Sequence, residues 1–132
     1  MPTNFRQFER EVANFGSTLL PEQFVLFQKK IALEVLVRVV KRTPVDTGRA
    51  RGNWQVGVGT IPSGNSSADS TGGSTISAGL GNLATLGRNQ TVFIANNLEY
   101  ISFLEGGSST QAARGMLAVS LQEVEMQFKG VA

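Results

Sequence analysis

Apolar and polar positions change period several times along this chain, and each change marks an element. Phe5, Phe8, Val12 and Phe15 recur at helical spacing, with Arg6, Glu9, Arg10 and Glu11 between them. Thr3 suits the N-cap and Gly16 the stop. The stripe predicts a helix over 1–16 that buries against its own domain or reaches, as a terminal arm, onto a neighbouring subunit. A second helix is expected from Pro21-Glu22 to Arg42, with proline in the first turn and Glu22 complementing the helix dipole. Lys30, Glu34, Arg38 and Lys41 form its polar stripe, and Glu34 and Arg38 are placed to pair. Phe24, Phe27, Ile31, Leu36, Val37, Val40 and others spread apolar surface too widely for one covering layer. A second subunit is one possible cover, which makes Phe24, Phe27 and Val37 the candidate subunit contacts.

The period then shortens. Gly52 to Gly59 alternates, with Trp54, Val56 and Val58 on one face and Asn53, Gln55 and Gly57 on the other. Residues 60–75 hold only Ile61 and Ala68 as ordinary apolar residues and are expected to be a flexible loop, too poor in apolar groups to offset its ordering entropy. Ile76, Leu80, Leu83 and Leu86 suggest a short, weak helix in which Gly79 and Gly81 cost about 1 kcal/mol each. Thr91 to Ala95 reads as a second strand. Asn96-Asn97 turns into a short helical segment bearing Tyr100, Ile101 and Leu104, followed by a loop over Glu105-Gly106-Gly107-Ser108-Ser109. Leu117, Leu121, Val124 and Phe128 mark a last helix, with Glu125 and Lys129 as an i,i+4 pair and Gly130 at its end. The pattern predicts one α+β domain over 1–132: a long helix on a small antiparallel sheet, with a helix near each terminus.

The densest local signal joins the long helix to the first strand. Pro44 stops the helix, because it disfavours the α region for Thr43 and carries no N–H. Asp46-Thr47-Gly48 reads as a turn, with short side chains able to bond the backbone and a glycine for unusual φ. Arg49 follows, and Trp54 opens the strand. Asp-Thr-Gly also matches the aspartic-protease signature, in which two carboxylates, one per subunit, share a proton. The surroundings argue against it. A helix and Thr43-Pro44 stand where an apolar strand belongs, and Arg49 stands where a small residue belongs.

Composition narrows the rest. The chain has 132 residues, net charge +2, no cysteine and no histidine. Disulfides, thiolate nucleophiles, zinc-thiolate sites and Ser-His-Asp sets are therefore excluded. The charge balance gives no bulk pull toward nucleic acid, and one Trp and one Tyr make no stacking platform. Charges interrupt the long helix, so no membrane span is expected, and no signal peptide is visible at Met1-Pro2-Thr3-Asn4. Gly72-Gly73 lacks the Lys-Ser/Thr of a phosphate loop, and Gly79-Leu80-Gly81 lacks the third glycine of a dinucleotide site. The carboxylates show no metal-ligand spacing, and Glu123 and Glu125 read as a solvated helix face. Asn65-Ser66-Ser67 and Asn89-Gln90-Thr91 match glycosylation acceptors, a weak signal without a secretory leader. By elimination, a structural or assembly role without cofactor is favoured over an enzyme.

Three pieces together resemble the small tail-component proteins of long-tailed double-stranded-DNA bacteriophages. They are Arg42-Thr43-Pro44-Val45-Asp46-Thr47-Gly48-Arg49 with its Trp54 strand; Phe93-Ile94-Ala95-Asn96-Asn97-Leu98-Glu99-Tyr100 with Leu104-Glu105-Gly106-Gly107-Ser108-Ser109; and Gln111-Ala112-Ala113-Arg114-Gly115-Met116. Ala113 stands where proline is common in that family, which touches only loop stiffness. The likeness spans about residues 42–120 and leaves out the first helix. It implies a neck or tail-completion subunit: a homo-oligomer, in such proteins a hexameric ring, joining the head-tail connector to the tail terminator and tube. DNA passes through the lumen as non-specific cargo. Such a protein assembles in the host cytoplasm and ends in the virion. A tail terminator or head-closure ring is the nearest alternative, and a dimeric aspartic protease a distant one.

Overall fold

A computed structural model describes residues 5–16, 19–106 and 115–129. The fold is α+β. Its elements are α1 (Phe5–Gly16), α2 (Pro21–Arg42), α3 (Arg49–Gly52), β1 (Trp54–Val58), α4 (Gly73–Leu83), β2 (Val92–Asn96), α5 (Ile101–Glu105) and α6 (Leu117–Lys129). The strands pair antiparallel, Trp54 opposite Asn96 and Val58 opposite Val92. Thr3, Gly130 and Gln111 lie outside the described residues, as do the side chains of Phe5, Phe8, Val12, Phe15 and Lys129.

The long helix organises everything else. Pro21 sits in its first turn, where a missing N–H costs nothing. The Gln23 side chain reaches back to accept the Leu20 N–H at 3.0 Å. Ala32, Val35, Leu36, Val39 and Val40 of α2 are buried with Trp54, Val56, Leu83, Met116, Val124 and Phe128. The wide apolar surface of α2 is therefore covered largely from within the chain, by α4 and the sheet as well as by α6. Phe27 is part of that internal packing. Its ring meets the Phe128 ring edge to face, with centroids 5.5 Å apart, and it is only partly buried. Phe24 and Val37 are half-buried and stand outside the core cluster.

Charge sets how α6 lies on α2. Arg38 pairs with Glu34 one turn away and with Glu123 of α6 at 3.2 Å, and it donates to Gln127 Oε1 at 2.8 Å. Arg42 pairs with the same Glu123, and Lys30 lies 2.9 Å from Glu34. Two arginines beside it hold the Glu123 carboxyl below the usual range, Arg42 most strongly. Glu123 is thus more than a solvated face residue: though its side chain is still partly exposed, it anchors an interhelical ion network. The polar stripe of α2 thus meets α6 as well as solvent, because helical periodicity says which residues share a face, not what covers it.

Several boundaries differ from the sequence reading: β2 runs Val92–Asn96 and not from Thr91 to Ala95, and α4 stops at Leu83, short of Leu86. Gly52 and Asn53 are not strand residues. Gly48 at φ +82° redirects the chain into one helical turn, closed by the Gly52 N–H on Gly48 O at 2.9 Å. The apolar-poor stretch also ends early: Gly73, Ser74 and Thr75 already belong to α4. Residues 60–72 have no regular structure, yet polar anchors hold them across the corner. Asn53, fully buried, accepts the Ser66 N–H at 2.7 Å and donates to Ser66 O at 3.1 Å. The Asp69 N–H bonds Gly48 O at 2.9 Å, and Gln55 Nε2 bonds Gly64 O at 2.9 Å. These hydrogen bonds join segments far apart in sequence and are not encoded in composition.

Candidate functional site

The corner between α2 and β1 is a locked polar joint. Thr43 is fully buried, and its hydroxyl donates to Val39 O at 2.6 Å, recapturing a carbonyl at the helix end. Trp54 Nε1 donates to the same hydroxyl oxygen at 2.7 Å. Arg51 clamps the helix C-terminus, where a cation complements the dipole, with Nη2 3.0 Å from both Lys41 O and Thr43 O and Nη1 2.8 Å from Ser70 O. The turn itself is pinned by Thr47, whose hydroxyl accepts the Arg49 N–H at 3.3 Å, while Asp46 is exposed. Of the short side chains expected to bond the backbone in this turn, Thr47 is the one that does so. Gly48 is obligatory: besides its positive φ, a Cβ there would stand 2.7 Å from Ser70 N.

The second motif piece folds onto this joint. Asn96 donates to Ala50 O at 2.9 Å and accepts the Leu98 N–H at 3.2 Å. Asn97 donates to Pro62 O and Gly64 O at 3.1 and 3.0 Å. Tyr100 and Leu104 then face Pro44, Asp46, Gly48 and Arg49 across a cleft of about 280 Å³. Asp46, Arg49 and Tyr100 are exposed at its rim.

The third piece arrives through Glu105. Its carboxylate accepts the N–H groups of Met116 at 3.0 Å, Leu117 at 2.8 Å and Ala118 at 3.0 Å, capping α6 from the end of α5. Gly115, at φ +83°, lets the chain pass within 2.5 Å of Glu105 O as measured from a would-be Cβ. Met116 is fully buried, and Gly106 closes α5 through its N–H on Ser102 O at 3.0 Å. Thr43, Pro44, Gly48, Arg49, Trp54, Asn96, Tyr100 and Leu104 thus meet in one region, and Glu105, Gly115 and Met116 meet beside it.

Three contributors were missed by sequence reasoning. Asp69 caps α4, accepting the Thr75 N–H and hydroxyl at 2.8 Å each and the Gly72 N–H at 3.1 Å. Those bonds, from Thr75 foremost, lower its pKa from the ordinary aspartate value. An Asp ahead of a Ser/Thr/Gly run was a legible cap signal. Arg51 and Asn53 gave none, because their partners lie on other segments. A second cavity of about 360 Å³ lies between the 60–72 strap and α4, lined by Gln55, Ser67, Thr75 and Asn82 among others. Among the described residues no group of acidic side chains is placed to hold a metal, and no helix is long and apolar enough to cross a membrane. The arrangement builds a rigid corner with a shallow cleft and exposed polar rim. No protein family, curated protein or solved structure matches the chain.

Proposed function

We propose that this chain is a structural subunit of the neck or tail-completion region of a long-tailed bacteriophage, acting as part of a closed ring and not as an enzyme. The observation that carries the reading is convergence. The sequence pieces that resemble the tail-component family, separate along the chain, supply one joint: the 43–54 corner, the Asn96–Leu104 segment against it, and Glu105 clasping Met116. Residues used in this way set the shape of a rigid building block.

Ring assembly needs apolar surface left over by the fold. Leu20 and Leu26 are 63% and 65% exposed at the start of α2, and Val37 and Phe24 are left outside the core. Head-to-tail repetition of one such contact closes into a ring. The near-neutral charge suits a channel wall through which DNA slides, because a strongly basic lumen would retain it. Head-connector and tail-terminator proteins would flank such a ring. The protease alternative is disfavoured by Asp46, which lies in an exposed turn after a helix, with Thr47 and Gly48 committed to the joint. Reconstruction of the virion neck tests the proposal: density for this fold in a ring between portal and tail tube supports it, and its absence from the purified particle overturns it. Peptide cleavage lost in Asp46→Asn would revive the protease.

A further inference from the structure

The sheet has two strands, and its two edges are not alike. On the β1 side, α4 packs alongside and Asn82 Nδ2 donates to the outward Val56 O at 2.9 Å. On the β2 side no such bond is made among the described residues. The Gly59 N–H bonds Thr91 O at 2.8 Å, and the register carries that alternation on to Gly57↔Phe93 and Gln55↔Ala95 as the hydrogen-bonded pairs. The N–H and C=O groups of Val92, Ile94 and Asn96 therefore point away from β1. Among the described residues none bonds to these groups of Val92 or Ile94. Val92-Phe93-Ile94-Ala95-Asn96 has no charge and no proline, the devices that keep an edge strand from pairing.

We infer that this edge pairs with the β2 edge of a second copy of the chain, antiparallel about a two-fold axis through Ile94. The occupant follows from the asymmetry of the sheet. Pairing of β2 with β1 of another copy is blocked because α4 and Asn82 occupy that edge. Pairing of β2 with itself satisfies the free groups of both copies. Val92 then faces Asn96 of the other copy, and Ile94 faces Ile94, as hydrogen-bonded pairs. Phe93 faces Ala95 as a close non-hydrogen-bonded pair, large against small. The two marginal ribbons become one four-stranded sheet. The inference goes beyond the ring reading and does not rest on it: it concerns the free chain, because a two-fold pair would give a ring two like faces while a neck ring meets two different partners.

Cysteine trapping tests the register, because the chain has no cysteine of its own. Phe93→Cys and Ala95→Cys are purified separately and mixed under mild oxidation. A disulfide-linked dimer is expected to form about tenfold faster in the mixture than in either variant alone, since only the 93–95 pair brings the Cβ atoms within bonding reach. Val92→Pro removes an outward N–H and no bond within the sheet, so adding it to both variants should abolish the advantage. Equal rates in all three samples, or an advantage undiminished by proline, overturns the inference. Should Val92→Pro unfold the chain by circular dichroism, Ala95→Lys in the wild-type background replaces it. Its side chain lies on the face away from the core, and it should convert a sedimenting dimer to monomer or halve a larger assembly. An unchanged mass would equally overturn the pairing.

Discussion

The indole N–H of Trp54 and the hydroxyl of Thr43 meet at 2.7 Å inside the protein, joining the first residue of a strand to the last turn of a helix. Both residues are buried, and the hydroxyl donates its own hydrogen bond to Val39 O. Removing either partner strands the other away from water. Thr43→Val is expected to destabilise by about 1–3 kcal/mol. In a double-mutant cycle with Trp54→Phe, urea unfolding should show coupling of about 1 kcal/mol. Additive losses would mean that the bond contributes nothing.

Glycine substitutions should separate steric cost from backbone cost. At Gly52 a Cβ would lie 2.2 Å from Ser67 O, at a φ ordinary for any residue. At Gly64 φ is +75° with nothing within 4 Å. Gly64→Ala should cost about 1–2 kcal/mol, the left-handed penalty alone. Gly52→Ala should cost more, because the 60–72 strap must lift from the corner. The order of melting temperatures checks this, and the reverse order would mean that the strap yields freely.

Acid should loosen the molecule through three carboxylates. Asp69, Glu34 and Glu123 all have folded pKa values below their ordinary ones, Glu34 lowered to about 2 by its bonds to Arg38 and Lys30. A depressed folded pKa gives stability that is complete above the unfolded pKa, about 4, and is lost as pH falls through the folded value. Unfolding free energy should thus decline between about pH 4.5 and pH 2. Asp69→Asn should flatten part of that slope and lower stability at pH 7 by about 1 kcal/mol through the weakened cap. An unaltered slope would remove Asp69 from the linkage.

Glu105 should be worth more than an ordinary surface glutamate. Glu105→Ala leaves the Met116, Leu117 and Ala118 amides without their acceptor. A loss of about 1–2 kcal/mol is expected, with faster hydrogen exchange confined to the first turn of α6. Exchange that rises evenly over the chain would instead report global destabilisation.

Val37 and Phe27 offer a contrast within one helix. Phe27→Asp should unfold the subunit, since the ring packs on Phe128. Val37→Asp should fold, because Val37 stands outside the core, yet bury an unpaired charge in any α2 subunit contact at a cost of several kcal/mol. Gel filtration of the variant and the infectivity of phage carrying it give the readout. Normal assembly and infectivity would take Val37 out of any essential contact.

Much of this architecture was legible in the residues. The span of α2 followed from proline at its start and Thr43-Pro44 at its end, and the strands from alternation at Trp54–Val58 and Val92–Ile94. Local chemistry decides such features. The strap and the joint were less legible because their bonds join residues far apart in sequence: Asn53 with Ser66, Asn96 with Ala50, Glu105 with Met116. Glu123 looked solvated for the same reason. A helical wheel places it on a polar face but cannot show that Arg38 and Arg42 arrive from another helix.

The clasp between Glu105 and the start of α6 separates connection from registry. Its grip on three amides, with Gly115 pressed close beneath, brings the two ends of the intervening segment together, while Arg38 and Arg42 fix the far side of the helix. The orientation of α6 is therefore written twice, at its first turn by an acid from α5 and along its side by two bases from α2.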